Sequence, residues 1–153
     1  MKRFTIYFFV TNIILGGLLL CQNKEISALT KDNNAIQAIS TIKQKQLILW
    51  TSGDREVALK MVLMYSYYCK KNSWMDTVRL LVWGPSSKLL AEDTLLQRKV
   101  KELKQIGIEL YACKACADLY GVADKLTQLG ITVMYTGEML ADLQKNGWHV
   151  LSL

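Results

Sequence analysis

Four cysteines and a single histidine are the side chains best suited to nucleophilic or metal chemistry in this chain, and two of the cysteines, Cys113 and Cys116, are spaced to act together. The run Ile108 to Ala112 reads as a short buried strand, which places Cys113 at the start of the helix that follows. Unsatisfied amide donors and the positive helix end stabilise a thiolate at that position, and Lys114 adds positive charge beside it. Cys116, three residues on, falls on the same side of the first turn. Such a pair could form a disulfide, hold a metal jointly, or divide the work between an attacking and a resolving thiol. Two small buried hydrophobes are the alternative without chemistry.

Other chemistries find less support. A thioredoxin-like oxidoreductase would carry its dithiol after the first strand, with a proline inside the motif and a cis-proline before a later strand. Here the pair follows the third strand, and the only proline, Pro85, precedes it. A structural zinc site needs four ligands, and one Cys-x-x-Cys supplies two. His149 lies in an apolar terminal strand, where a satisfied core or edge histidine is expected, and Cys69 belongs to a helical stripe and reads as core. Neither G-x-G-x-x-G nor G-x-x-x-x-G-K-[ST] occurs, and no Ser/His/Asp set is evident. The chain thus has no hydrolase or nucleotide-dependent signature, and neither a cofactor nor a metal is expected.

After residue 46 the hydrophobic pattern alternates between short apolar runs and helical periodicity. Leu47 to Trp50, Val78 to Trp83, Ile108 to Tyr111, Ile131 to Tyr135 and Trp148 to Leu151 are five expected strands. Helices are expected over residues 55–71, 87–105, 114–129 with a break near Gly121, and 138–146. In the first, Val57, Met61, Met64, Tyr65 and Tyr68 form one apolar stripe. Gly107, Gly130 and Gly147 each stand directly before a strand and read as helix stops. Strict alternation implies right-handed crossovers and a mainly parallel sheet between helix layers, an α/β fold of three-layer α/β/α type.

Ligands of such sheets bind outside the carboxyl ends of the strands, near a topological switch point. The segments there supply the possible pocket residues Ser52, Gly53 and Asp54, then Gly84 and Pro85, then Lys114, then Thr136. Asp54 is most simply a helix cap and Glu138 a first-turn acid. Trp50, Trp83, Tyr111 and Tyr135, at strand ends, read as packing rather than as pocket walls.

Composition fits this picture. Of 153 residues, 51% are hydrophobic and 21% charged, which argues against disorder and against a disulfide-dense miniprotein. The net charge is +6, but Lys2, Arg3 and Lys24 against Glu25 give residues 1–28 a net +2 of it. No basic run with interleaved aromatics follows, so nucleic acid is not an expected partner. Met1-Lys2-Arg3 and the uncharged run Phe4 to Cys21 read as an export signal or an N-terminal anchor. Ile26-Ser27-Ala28 is a passable cleavage site, whereas Leu20 before Cys21 disfavours lipidation. Residues 1–28 are therefore expected to be a signal peptide or membrane anchor, 29–45 a linker and 46–153 the folded domain. Contact with a membrane would run only through the first segment, and the domain would be periplasmic or anchored facing the periplasm.

The stretch Ile108 to Leu153, with Cys113 after a strand, Gly121 eight residues later, then ITVMYTGEML and a final GWHVLSL, resembles the DsrE/DsrF-like (YchN-like) family. Leu80-Leu81-Val82-Trp83-Gly84-Pro85 followed by Lys88-Leu89-Leu90 is similar to that family's second strand and turn. The resemblance covers about residues 46–153. It implies a three-layer α/β/α fold with a parallel five-stranded sheet, assembled as trimers or hexamers. Some members are sulfur-relay proteins that carry sulfur as a persulfide on one cysteine, and Cys113 matches that cysteine by position. Cys116 is not part of the usual pattern. The leader is a second departure, because an exported copy would meet an oxidising compartment, where a persulfide is harder to maintain and a Cys113–Cys116 disulfide comes into play. Two functions follow as expectations. One is an exported protein whose Cys113 handles sulfur or redox equivalents with donor and acceptor partners; the other is a non-catalytic oligomeric binding or scaffold domain of the same fold.

Overall fold

In the computed structural model, which describes Lys31 and residues 43–153, the alternating pattern becomes five strands and the helices between them. The strands are β1 (Lys45–Trp50), β2 (Thr77–Val82), β3 (Glu109–Cys113), β4 (Thr132–Met134) and β5 (His149–Ser152). Helix α1 runs through Arg55–Val57, a π-helical stretch Ala58–Leu63, and Met64–Lys71. It is followed by α2 (Pro85–Glu92), α3 (Thr94–Gln105), α4 (Lys114–Leu119), α5 (Ala123–Gln128) and α6 (Gly137–Lys145). The expected leader, and most of the expected linker, lie outside the described residues.

All four strand pairings are parallel, in the order β4-β3-β2-β1-β5. Steps from β1 to β4 run in one direction, so right-handed crossovers put α1 to α5 on a single face. The chain then returns past β1 to place β5 on the other side, and that connection carries α6 to the opposite face. Two separate cores result. The larger joins Ile48, Trp50, Leu80 and Leu110 of the sheet to Val62, Leu90, Val100 and Leu126 of the first helix layer. The smaller packs Leu47 and Leu81 against Leu143 of α6, with Trp83, Tyr111 and Trp148 around them. Strand alternation explains the division, since Ile48 and Trp50 face one layer while Leu47 and Leu49 face the other.

Beyond the reach of α6 the second face turns polar. Arg79 Nε donates to Glu109 Oε2 at 2.8 Å, Tyr111 donates to the same oxygen at 3.0 Å, and the guanidinium lies 4.4 Å from the centre of the Trp148 ring. Thr132 and Met134 on edge strand β4 are exposed. Coverage on both faces, expected for every strand, therefore holds for the central strands and fails at this edge.

Two helical expectations need correction. The single helix expected over 87–105 is two, because Asp93 leaves the helical conformation and caps the second; its Oδ1 accepts from the Leu95 and Leu96 amides at 2.8 and 3.1 Å. Arg55 donates to its other oxygen at 2.6 Å and, with those amides, holds the Asp93 carboxyl below the usual carboxylate range. The α1 stripe is also one position out of phase. Ala58, Val62, Leu63, Ser66 and Cys69 are buried, while Met61, Met64 and Tyr68 are exposed. Small residues at 58, 66 and 69 let α1 lie close on the sheet, where methionine and tyrosine side chains would not fit. Buried Ser66 satisfies its hydroxyl within the helix, donating to the Val62 carbonyl at 2.6 Å. The three helix-stop glycines are as expected, each with positive φ.

Candidate functional site

Cys113 is both the last residue of β3 and the N-cap of α4, so strand and helix together fix its side chain. Alternation along β3 turns it to the face of Tyr111, toward the start of α6. It is 6% exposed. Its side chain closes no cap hydrogen bond. The N-cap is nevertheless the position from which a serine or aspartate oxygen meets the second and third amides of a helix. Burial alone would push the Cys113 thiol up; the amides of Cys116 and Ala115, the Thr136 hydroxyl and the Cys116 thiol outweigh it and leave the thiol below its ordinary value.

Thr136 reaches this site from a different strand end. It is the N-cap of α6, yet its hydroxyl makes no cap bond, and only its carbonyl joins the helix, accepting from the Leu140 amide at 2.9 Å. The side chain is 1% exposed, and Oγ1 has no hydrogen-bond partner among the described residues. A buried hydroxyl left unpaired costs free energy, of order 1–3 kcal/mol. A thiolate at Cys113 gives that hydroxyl an acceptor, which is how Thr136 favours the ionised sulfur.

Cys116, half-buried in the first turn of α4, moves the opposite way. Burial, a hydrogen bond to Cys113 and the charge of Cys113 raise its thiol, against the Gly84 amide, which favours its ionised form. Gly84 is itself in a left-handed conformation, φ 69°, at the turn from β2 into α2. Pro85, at the first position of α2, crowds Gly53, where an added Cβ would lie 3.1 Å from the Pro85 ring. Gly84, Cys113, Cys116 and Thr136 thus meet at the carboxyl ends of three adjacent strands, β2, β3 and β4.

The remaining expected pocket residues are engaged elsewhere. Asp54 caps α1, accepting from the Glu56 and Val57 amides at 2.7 and 3.0 Å. Ser52 Oγ accepts from the Asp54 amide, and its own amide donates to the Leu153 carbonyl at 3.2 Å. Lys114 donates to Asp118 at 2.5 Å and lies over the Tyr135 ring, so its charge is directed there, and the lowering of Cys113 comes from amides and hydroxyl instead. Asp118 escaped the sequence reading, although its four-residue spacing from Lys114 was available as a signal. The site also lies two strands from the switch point, which falls between β1 and β5.

The other candidates settle into the structure. Cys69 is fully buried in the larger core, and burial raises its thiol. His149 is an exposed edge residue whose Nε2 lies 3.1 Å from Gln44 Oε1. Trp50 is core, Trp83 and Tyr111 pack in the second core, and Tyr135 is 68% exposed. Among the described residues no group of three His, Cys, Asp or Glu side chains gathers to hold a metal, and no helix is long and apolar enough to cross a membrane.

Comparison with known proteins agrees with this architecture. Residues 47–153 match the DsrE/DsrF-like family. BT1422, a conserved protein of unknown function from Bacteroides thetaiotaomicron, has a structure similar to this chain at 39% identity and a TM-score of 0.69, covering 72% of this chain and 95% of its own. The ychN protein of E. coli is 19% identical with a TM-score of 0.56, covering 72% of this chain and 99% of its own. MTH1491 from Methanobacterium thermoautotrophicum, also of unknown function, is 20% identical with a TM-score of 0.56, covering 72% and 100%. The last two likenesses bear on the fold alone. None of the curated proteins matches the chain.

Proposed function

The chain belongs to the DsrE/DsrF-like family, and on that premise we propose that Cys113 is a sulfur acceptor that takes sulfane sulfur from a donor persulfide and holds it for an acceptor thiol. The observation that carries this reading is the burial of Cys113 at the N-cap of α4, where the Cys116 and Ala115 amides and the otherwise unpartnered Thr136 hydroxyl favour its ionised form. Donors arranged in advance around a sulfur favour the ionised, nucleophilic form. In the first step the Cys113 thiolate attacks the outer sulfur of a donor R–S–SH. A bond forms between Cys113 Sγ and that sulfur, the donor's S–S bond breaks, and the donor departs as its thiolate. Transfer to the acceptor repeats the exchange in the other direction.

The same chemistry supports assembly around the site. Leu119 (86% exposed), Tyr120, Met134 and Tyr135 are exposed apolar side chains of α4, β4 and the residues that directly follow them. Such a patch is suited to a second copy of the chain, and the proposal includes a homo-oligomer. Export is the remaining part of the reading, supported by Met1-Lys2-Arg3 and the uncharged run to Cys21. Protease accessibility of the folded domain in intact cells with an opened outer membrane tests it, and a domain protected together with the cytoplasmic proteins would contradict it.

To test the central role, the full chain is exposed briefly to a small-molecule persulfide, blocked with an alkylating agent and mapped by mass spectrometry. The added sulfur is expected on the Cys113 peptide and is lost in Cys113→Ser. Recovery of Cys113 as an ordinary alkylated thiol, with the sulfur on another cysteine, contradicts the proposal. A scaffold of the same fold would instead keep its assembly and its cellular role in the Cys113→Ser protein.

A further inference from the structure

We propose that Cys116 is a resolving thiol which discharges the sulfur held on Cys113 as sulfide, so that the loaded chain ends as a Cys113–Cys116 disulfide. This inference rests on the reading of Cys113 as a sulfur acceptor, and adds to it a fate for the sulfur that a single-cysteine carrier does not have.

Three structural observations support it. Cys113 is the N-cap of α4 and Cys116 its third residue, so both side chains stand at the same end of that helix, where each shifts the other's ionisation. Both are free thiols, so the partner for a disulfide is in place before any sulfur arrives. Cys69, in contrast, is fully buried in α1, where its thiol interacts with Tyr65, and is no competitor. Cys113, the lowered thiol of the pair, ionises before Cys116, the raised one, which sets the order of events: Cys113 accepts first and Cys116 acts second. The Gly84 amide, from the turn after β2, favours the ionised form of Cys116 when it attacks.

The step balances without an added reagent. Cys116 Sγ, losing its proton, attacks Cys113 Sγ in Cys113–S–SH. A bond forms between the two cysteine sulfurs, the bond from Cys113 Sγ to the outer sulfur breaks, and the outer sulfur leaves as hydrosulfide, which the released proton converts to hydrogen sulfide. Counted as sulfane sulfur, the outer sulfur is reduced by two electrons, and the two cysteine sulfurs are oxidised by one each. Hydrosulfide is a good leaving group for such an exchange because its conjugate acid is more acidic than an ordinary thiol. Return to the dithiol then requires an external dithiol reductant.

The test uses the full chain, wild type and Cys116→Ser, loaded with inorganic polysulfide in anaerobic buffer, desalted rapidly and followed for released sulfide and by peptide mapping. The wild type is expected to release sulfide in step with formation of a Cys113–Cys116 disulfide, whereas Cys116→Ser keeps the sulfur on Cys113 and releases sulfide only at background. Equal release from both proteins overturns the inference, and so does a wild type that moves its sulfur onto Cys116 without releasing sulfide. Disulfide mapping in the wild type reads the same step without relying on the variant's folding. If Cys113 takes up no sulfur in either protein, the reading of Cys113 fails and this inference fails with it. Uptake in both proteins with equal retention overturns this inference alone.

Discussion

A thiol near neutral pH reacts in proportion to its ionised fraction, so the donors around Cys113 translate directly into rate. Thr136→Val removes the hydroxyl while nearly preserving shape. The rate of Cys113 alkylation against pH should inflect below the ordinary thiol range in the wild type, and Thr136→Val should move that inflection upward and slow reaction at pH 7. An unchanged profile would show that Thr136 does not act on the sulfur. The sign carries through to stability. Because the native thiol is lowered, the native state gives up its proton before the unfolded chain does, so the Cys113 contribution is complete above the ordinary thiol value of about 8.5 and is lost as pH falls through the lowered native value. Cys113→Ser should flatten that slope. Cys113 and Cys116 were legible in the sequence because their spacing and the strand before them are local properties. The part played by Thr136 was not, because a threonine before a helix reads as a cap, and only the fold brings its buried, unpaired hydroxyl to the end of the strand that carries Cys113.

Helix α1 shows what sequence pattern resolves at the scale of an element and what it leaves open. Its extent, Arg55 to Lys71, was plain from periodicity, but its buried face was not, since two adjacent stripes both carry apolar residues. The choice between them is made by how closely the helix approaches the sheet, which favours Ala58, Ser66 and Cys69 over the larger methionines and tyrosines. Paired substitutions separate the two faces. Ala58→Leu, at a fully buried position, should destabilise the domain by about 1–3 kcal/mol in urea unfolding through overpacking. Met61→Ala, at a position 49% exposed, should change stability by no more than about 0.5 kcal/mol. The reverse order would return the buried face to the Met61 stripe. The break at Asp93 escaped for a related reason: the flanking helices share one amphipathic rhythm, and the contact that stabilises the cap comes from Arg55, 38 residues earlier.

For the whole molecule, the alternation of strand and helix dictated a parallel α/β sheet, but strand order depends on which edge each crossover reaches, and that is a property of packing. The order β4-β3-β2-β1-β5 puts a single helix, α6, on the second face and leaves the β4 edge open beside Cys113. Assembly at that edge should give the full chain a mass above the 17.4 kDa of one copy in analytical ultracentrifugation. Leu119→Lys combined with Tyr135→Lys should shift it toward the monomer while leaving the circular dichroism unchanged; a monomeric wild type would dismiss the patch as an interface. The proposed chemistry is carried by one sulfur, and the most direct measurement is a peptide map of Cys116→Ser protein after brief exposure to a persulfide donor, since that variant lacks the thiol that would discharge the adduct. The prediction is one added sulfur on Cys113 and none on Cys69; an unmodified Cys113, whether or not Cys69 has reacted, would contradict it.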